Sequence, residues 1–437
     1  MSLRKVKIEN FKIFDGTFEL ELNSGLNILV GDNEVGKSTI LEAIHLALTG
    51  MINGRYLNTE LTQYLFNNAV VKRYLDSLST SDPLEAPRIK IELFFNDVEG
   101  NNSLKTFMGG INTEKDKDAF GILFVIEIDD SNIEYKEFLD IPENTLPIEF
   151  YDYKWYTFAD ALVTAKNIPI KSALIDSSLF RYQNGSDIYI SRIVRQILEP
   201  NDILKMSQAH RTMRDYFMAN DAVREINQKI LSAAPITDKT ISLSAEFLSK
   251  NAWENGLITY VNKVPFQYVG KGEQCVIKTK LALASKKAQN ASVLLMEEPE
   301  NHLTHARLNQ LLENIESDTK NRQVIISTHS SFVANKLGFD NLILLNHNGK
   351  HAKFKDLSEE TSSFFKKLPG YDTLRLVLCQ KAILVEGPSD ELIIQKAYLR
   401  IKSKLPIQDG IEVISVGTSF LRFLHVAEYL DIRVAVV

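Results

Sequence analysis

The sequence predicts an α/β protein with two parallel-sheet units, one following the other along the chain. The first observation is an apolar run, Leu26–Val30, that leads through a glycine-rich loop into a segment with helical spacing at 38–48. The second is the recurrence of short apolar runs separated by helical stretches, which is typical of parallel sheets covered by helices. These runs lie at 293–296, 324–327 and 342–345, and again at 382–385, 411–416 and 432–437, where helical stretches at 390–402 and 419–430 separate them.

The remaining segments are predicted to be strands first and helices later. Residues 3–30 alternate between apolar and polar positions, as strands do. Four more strand-like runs lie at Arg88–Phe95, Gly121–Ile128, Ile133–Phe138 and Ile148–Phe158. From about 187 to 250 the pattern is helical and charged, and we expect Pro200 to interrupt it. The predicted division is a first domain at 1–379 that contains this helical insertion, and a second domain at 380–437.

Composition limits the protein class. A chain of 437 residues can hold two to three domains, and 44% hydrophobic with 24% charged residues is typical of a soluble globular protein. The net charge of −6 does not indicate a nucleic-acid binder, although local basic patches remain compatible with one. Cys275 and Cys379 form no CxxC pair, which argues against a zinc site or a disulfide framework. Without a signal peptide or a run of about 18 apolar residues, we expect a cytoplasmic protein with no membrane partner.

The glycine-rich loop has the residues of a phosphate-binding loop. Gly31 to Ser38 reads G-x-x-x-x-G-K-[ST], with Asp32, Asn33, Glu34 and Val35 between the two glycines and with Thr39 following. In such a loop Gly31, Gly36 and the backbone amides wrap the phosphates, Lys37 reaches the β and γ oxygens, and Ser38 offers its hydroxyl to Mg²⁺. The strand before it and the helix after it are the context the motif requires. We therefore predict an ATP site with Mg²⁺.

Two further strands end in polar residues that suit nucleotide hydrolysis. The segment Val293–Glu300 contains an apolar strand that ends in Glu297 and Glu298. The segment 325–330 contains another strand, which ends in His329. Phosphate hydrolysis needs a carboxylate that supports the metal and a group that orients or activates water. We assign Glu297 to the metal, Glu298 to the attacking water, and His329 to the γ-phosphate or that water.

A third segment at Gly270–Gln274 combines glycines with the start of a helix, where backbone amides can approach an anion. Together these motifs resemble the ABC/SMC-like P-loop ATPase head of DNA-maintenance proteins. The signature Leu-Ser-Gly-Gly-Glu-Gln of that class is matched by Gly272, Glu273 and Gln274, whereas Val269, Gly270 and Lys271 depart from it. The resemblance implies that 270–274 completes the nucleotide site of a second copy, so that ATP joins a homodimer or a higher homo-oligomer.

The second domain opens with Ile383–Asp390, which places Glu386 and Asp390 at the end of an apolar strand. This segment and 411–417 resemble a TOPRIM domain, a Rossmann-like fold that holds Mg²⁺ at strand ends. The resemblance implies that Glu386 is a metal ligand or general acid/base and Asp390 a supporting ligand, with Mn²⁺ as an alternative ion. We expect the 380–437 segment to be the N-terminal part of that domain, ending before an Asp-x-Asp motif.

An ABC head with the Glu298–Leu303 run, followed by TOPRIM, resembles the OLD family of ATP-dependent nucleases. The resemblance implies an ATP-hydrolysing, metal-dependent DNA endonuclease whose head regulates its nuclease, acting in anti-phage defence. Its implied partners are DNA and, in some relatives, a helicase-like protein or a retron reverse transcriptase with its small DNA. The alternative is a nucleotide-gated DNA-binding clamp with an inactive TOPRIM docking module.

Overall fold

The protein is described from a computed structural model, which covers residues 1–32, 34–96, 106–109, 119–129, 145–176, 182–183, 186–187, 197–233, 258–301, 303–318, 322–346, 351–353, 375–376, 379 and 381–437. Its strands are β1 (Leu3–Glu9), β2 (Thr17–Glu21), β3 (Leu26–Val30), β4 (Met51–Ile52), β5 (Arg55–Tyr56), β6 (Ile89–Phe95), β7 (Phe120–Ile128), β8 (Tyr151–Thr157), β9 (Leu162–Val163), β10 (Ser172–Asp176), β11 (Tyr182–Gln183), β12 (Ser186–Asp187), β13 (Tyr260–Val261), β14 (Val264–Pro265), β15 (Val293–Glu297), β16 (Gln323–Thr328), β17 (Leu342–Leu345), β18 (His351–Lys353), β19 (Lys381–Val385), β20 (Ile411–Ser415) and β21 (Arg433–Val436). Its helices are α1 (Lys37–Thr49), α2 (Leu57–Glu60), α3 (Asn68–Ser77), α4 (Pro200–Ala219), α5 (Asp221–Ala233), α6 (Lys271–Ala284), α7 (Lys286–Gln289), α8 (His305–Asp318), α9 (Ser331–Leu337), α10 (Pro388–Lys402) and α11 (Phe420–Tyr429).

The first unit, Met1–Asp176 with Asn290–Val437, contains two six-stranded sheets that share a hydrophobic core. One sheet has the order β2-β1-β6-β7-β8-β9, and its strands pair antiparallel. The core contains inward-facing residues of both sheets together with apolar residues of α1, such as Ile40 and Ile44. Burial of this helix fixes the loop that precedes it.

The other sheet positions the predicted nucleotide site. Its order is β10-β15-β16-β3-β17-β18, and all neighbours are parallel except β17 and β18. Every residue of β3 and β16 is buried, as expected for strands covered on both faces. Parallel register brings the carboxyl ends of the central strands to one edge, with Asp176 beside Glu297, Glu297 beside Ser327, and Thr328 beside Val30.

The last strands of this unit form a third sheet, with the parallel order β20-β19-β21. Arg375 contacts this sheet and α10. Its Nη2 donates to Glu412 Oε2 at 2.9 Å and to the carbonyl of Val413 at 2.8 Å, both on β20, and to Glu391 Oε1 of α10 at 3.3 Å. Asn346, which follows β17, donates from Nδ2 to the carbonyl of Leu430 at 2.6 Å. This bond connects the end of a nucleotide-site strand to the end of α11.

The second unit, Ser177–Gln289, contains the helix pair α4 and α5, the hairpins β11–β12 and β13–β14, and the helices α6 and α7. Pro200 interrupts the helical pattern, as predicted, because Ile197 is helical whereas Leu198 and Glu199 are not. It begins α4, because the first helical turn has no intrahelical partner for the backbone amide that proline lacks. Lys286 forms an ion pair with Glu199 just before this helix.

Most predicted strands and helices are confirmed with bounds shifted by one or two residues. The run at Ile148–Phe158 is shorter as a strand, since 148–150 forms a single 3₁₀ turn after Pro147 and β8 starts at Tyr151. The predicted strand Ile133–Phe138 and the part of the insertion beyond 233 lie outside the described residues. Among the described residues, no helix is long and apolar enough to cross a membrane.

Candidate functional site

The loop after β3 has no room for a side chain at either glycine of the motif, Gly31 or Gly36. Gly36 has φ 98°, and a Cβ there would lie 2.6 Å from Ile13 Cδ1. A Cβ on Gly31 would lie 2.5 Å from the carbonyl oxygen of Leu345, at the end of β17. The glycines therefore let the loop pack closely against its surroundings while its amides stay available to an anion.

Lys37 is a buried cation at the centre of this loop. Its Nζ donates to the carbonyl oxygens of Gly31 at 2.9 Å and Asp32 at 2.7 Å. Burial lowers the pKa of Lys37, and the negative charges of Glu298 and Asp32 partly offset this effect. A phosphate group would offer the ammonium a charged partner in place of the loop carbonyls.

The other predicted residues of the loop take supporting positions. Glu34 adopts a left-handed conformation with φ 64°, which helps to turn the chain. Val35 and Thr39 are buried, and the amide of Ile40 donates to the carbonyl of Gly36 at 2.9 Å. Asn33 lies outside the described residues.

Glu297 ends β15 and meets the hydroxyl of Ser38 in a side-chain hydrogen bond. The pKa of Glu297 is raised to about 7, chiefly by burial and also by the charges of Asp176, Glu42 and Glu298, although the Ser38 bond partly offsets the rise. Asp176 lies opposite Glu297 in the parallel register of β10 and β15. This carboxylate was not identified from the sequence, although the apolar run that ends in Asp176 is the same kind of signal that identified Glu297.

Glu298 has a constrained conformation at the turn that follows β15. Its φ of 40° is unusual for a residue with a side chain, and its amide donates to the carbonyl of Ser327 at 2.9 Å. Asn301 Nδ2 donates to Glu298 Oε2 at 2.7 Å, and Glu298 Oε1 lies 3.3 Å from Nδ1 of His329. The two predicted catalytic groups of this edge therefore lie in direct contact.

Glu300 connects this turn to the end of β16. Its Oε1 accepts a hydrogen bond from Thr328 Oγ1 at 2.5 Å and another from the amide of His329 at 3.2 Å. Its Oε2 is buried and has no hydrogen-bond partner among the described residues, and the same is true of Oγ of Ser327. The sequence offered only the position of Glu300, two residues after Glu298, and that position does not predict these contacts.

The side chains at this edge fit a magnesium ion that binds together with a nucleotide. The available groups are oxygen ligands, namely the hydroxyl of Ser38 and the carboxylates of Glu297 and Asp176. Within the described part of the chain, no three His, Cys, Asp or Glu side chains are arranged to hold a metal by themselves. Nucleotide-bound Mg²⁺ uses one or two protein oxygens, with phosphates and water as its other ligands. The buried Oε2 of Glu300 and Oγ of Ser327 likewise suit a polar ligand or water.

The predicted signature segment lies in the second unit and forms the start of α6. Gly270 precedes the helix and is exposed, with open space where a Cβ would be. Lys271 and Glu273 are exposed and Gly272 is partly exposed, whereas Gln274 is buried. Gln274 Nε2 donates to the carbonyls of Val269 at 2.7 Å and Phe266 at 2.9 Å, so it holds the preceding loop.

The second predicted site follows β19. Glu386 is exposed, and its carbonyl accepts hydrogen bonds from the amide of Gly417 at 3.0 Å and from Oγ of Ser415 at 3.2 Å. Asp390 Oδ2 accepts from the amide of Gly387 at 3.0 Å, which caps the start of α10. These carboxylates are suitable in type for Mg²⁺ or Mn²⁺, but Asp390 also has this structural role.

Comparisons with known proteins match two domain families to this chain. Residues 1–334 match the family model of the AAA ATPase domain, and residues 377–437 match that of the TOPRIM domain of proteins like the overcoming lysogenization defect protein. Endonuclease GajA of Bacillus cereus is 21% identical over 451 residues, which cover 97% of this chain and 72% of the relative.

Matches to the DNA replication and repair protein RecF cover less. The RecF protein of Clostridium tetani is 24% identical over 35% of this chain and 40% of the relative. The RecF protein of Clostridium acetobutylicum is also 24% identical, over 44% of this chain and 54% of the relative. This chain thus spans about half the length of these relatives. The crystal structure of an Smc head domain with an extended coiled coil, derived from Pyrococcus furiosus, covers 83% of this chain and 99% of its own, with 11% identity and a TM-score of 0.42.

Proposed function

Because the chain belongs to the AAA ATPase domain family and carries an OLD-like TOPRIM domain after it, we propose that it is an ATP-hydrolysing, metal-dependent DNA endonuclease of the OLD type. The resemblance to OLD-family proteins predicted from the motifs is confirmed. The observation that carries the ATPase half is the contact between Glu298 and His329 at the sheet edge that also bears the Lys37 loop.

In the proposed ATPase reaction, the loop amides and Lys37 bind the phosphates, and Ser38 and Glu297 hold Mg²⁺, with Asp176 beside them. When bound, the metal neutralises phosphate charge and orients the γ-phosphate. Glu298 Oε1 accepts a proton from the attacking water, and Asn301 holds the other oxygen so that the carboxylate keeps its orientation. His329 lies beside Glu298 and donates a hydrogen bond to the γ-phosphate or to the water.

In the proposed nuclease reaction, Glu386 is the metal ligand or general acid/base at the carboxyl end of β19. The carbonyl contacts from Gly417 and Ser415 fix the main chain at this position. Asp390 fixes the turn that carries Glu386 and supports the metal. A bound Mg²⁺ or Mn²⁺ would stabilise the attacking and leaving oxygens of a phosphodiester.

We propose that the ATPase domain regulates the nuclease through β17. Gly31 of the phosphate loop packs against the carbonyl of Leu345, and the next residue, Asn346, holds the carbonyl of Leu430 at the end of α11. A change in the loop on nucleotide binding would therefore reach the TOPRIM sheet through two adjacent residues. ATP binding is expected to matter more than each hydrolysis event, because metal-assisted phosphodiester cleavage needs no energy from ATP.

The proposed biological setting is defence against phage, which the OLD-type domain combination supports. The proposed assembly is a homodimer in which 270–274 of one copy completes the nucleotide site of the other, an isologous arrangement with twofold symmetry. DNA is the proposed substrate, and a helicase-like protein or a retron reverse transcriptase with its small DNA is the proposed defence partner.

The test is plasmid cleavage by the protein encoded by its full gene, with Mg²⁺ or Mn²⁺ and with or without ATP. Wild type, Glu386→Ala and Glu428→Ala are compared, the last being a control at an exposed glutamate of α11 in the same domain. We expect metal-dependent cleavage that Glu386→Ala abolishes and the control retains.

The capping role of Asp390 gives the alternative function a specific basis, since a carboxylate engaged in a helix cap is also what a non-catalytic docking module would contain. A nucleotide-gated clamp would bind DNA with ATP and leave it intact. Cleavage that is absent from wild type, or equal in wild type and Glu386→Ala, would favour the clamp and refute the nuclease.

A further inference from the structure

Glu300 has an environment that the roles assigned above do not use. Its side chain is only 10% exposed, and one of its two oxygens carries all of its hydrogen bonds. Those bonds reach Thr328 and the main chain of His329, on a strand that lies 28 residues further along the chain. Glu300 therefore ties the turn after β15 to the end of β16.

The other oxygen, Oε2, is buried, and the described part of the chain offers it no hydrogen-bond partner. Burial of an unpartnered carboxylate oxygen is strongly unfavourable, so such an atom in a native fold indicates a donor that is present in the working state. Ser327 supplies a second buried polar group without a partner, and it lies at the same end of β16. A hydroxyl can donate or accept, and an ordered water molecule can satisfy a buried polar group of either kind.

His329 connects Glu300 to the proposed chemistry. Its Nδ1 lies 3.3 Å from Glu298 Oε1 and 3.7 Å from Glu300 Oε1. The imidazole is thus placed between the carboxylate assigned to the attacking water and the carboxylate that holds its own main chain. A change at Glu300 should alter how His329 faces Glu298, while the hydrogen bonds from Lys37 to the phosphate loop are made elsewhere.

We propose that Glu300 is a positioning residue for ATP hydrolysis. Its Oε1 fixes Thr328 and His329 relative to Glu298, and its Oε2 accepts a hydrogen bond from a water molecule that is ordered when the nucleotide binds. This role rests on the proposed ATPase reaction and adds a third carboxylate to Glu297 and Glu298. It differs from theirs, because Glu300 neither holds the metal nor takes the proton.

Glu300→Gln tests the unpartnered oxygen specifically. The amide keeps one oxygen as an acceptor for Thr328 and replaces the other oxygen with a donor, so that a water donating to this position is repelled. The matched control is Glu313→Gln, the same chemical change at an exposed glutamate of α8. For each protein we would measure kcat and KM for ATP, the Kd of a fluorescent ATP analogue with Mg²⁺, and the thermal unfolding midpoint.

We expect Glu300→Gln to lower kcat by about tenfold or more, as loss of an oriented catalytic hydrogen bond does, with the Kd changed by less than about twofold. The control should match wild type, and the midpoint of Glu300→Gln should not fall below that of wild type. An unchanged kcat would overturn the proposal, and so would a fall in kcat accompanied by equal losses of ATP binding and thermal stability, which a purely structural role predicts.

Thr328→Val keeps the result decisive if Glu300→Gln does not fold. It removes the hydroxyl donor to Oε1 while preserving the shape of a buried strand residue. The proposal then requires a lower kcat with ATP binding retained, and normal kcat would refute it. Absence of ATP hydrolysis in wild type would instead refute the proposed ATPase function, so the two failures are distinguishable.

Discussion

Replacing Glu297 with glutamine should stabilise the ATPase domain above neutral pH and leave its stability unchanged in acid. The pKa of Glu297 is raised from 4.5 to about 7, first by burial and then by neighbouring carboxylates. At about 1.4 kcal/mol per pH unit, this difference corresponds to a penalty of at most about 3 kcal/mol on the folded state when the group is ionised. Glutamine cannot ionise, so the variant lacks the penalty.

The sign follows from which state loses its proton first. Below pH 4.5 the carboxyl is protonated in both states, and wild type and variant should have similar stability. Between pH 4.5 and 7 the unfolded chain ionises before the folded protein, so wild type loses stability as the pH rises. Above pH 7 the full difference should be present.

Thermal unfolding in EDTA without nucleotide, from pH 4 to pH 8.5, measures this difference. For a cooperative unit of about 300 residues, about 3 kcal/mol corresponds to roughly 5 °C in the midpoint. Glu313→Gln is the control, because the same change is made at an exposed position. A midpoint difference that does not depend on pH, or a variant less stable than wild type at pH 8, would contradict the reasoning.

The remaining predictions concern the nucleotide and its effects. Lys37→Ala should abolish ATP binding, because the phosphates lose their buried cation, and equilibrium binding measures this loss. Glu298→Gln should bind ATP but fail to hydrolyse it, which phosphate release measures. Normal turnover in Glu298→Gln would show that another group activates the water. With ATP, Glu298→Gln should have the solution mass of a dimer by light scattering, and a monomer that binds ATP with wild-type affinity would exclude the shared site. Asn346→Ala removes the hydrogen bond to the carbonyl of Leu430, so it should reduce the effect of ATP on DNA cleavage and leave ATP hydrolysis within about twofold of wild type. An unaltered effect of ATP on cleavage would show that the two domains are coupled through other residues.

The parallel sheet of the ATPase domain was predictable because its strands carry the signal in their own residues. All five residues of β3 and all six of β16 are buried, and such strands appear in the sequence as short apolar runs. The start of α1 was equally visible, since a glycine-lysine-serine sequence follows a buried strand. What the runs do not contain is the order of the strands, because hydrogen-bonding neighbours such as β3 and β16 lie about 300 residues apart.

The residues that support the proposed ATPase chemistry were harder to predict from the sequence than the residues assigned to the reaction itself. Lys37 is recognisable from its glycine-rich loop, and Glu298 and His329 are recognisable because phosphate chemistry demands such residue types directly after a strand. Asp176 becomes significant only when β10 pairs with β15, and Glu300 only when the turn that carries it closes onto Thr328. Such contacts are properties of strand register, and register is decided by burial over the whole sheet. An acidic residue near a strand end can therefore be proposed from sequence, but its partner must be found in three dimensions.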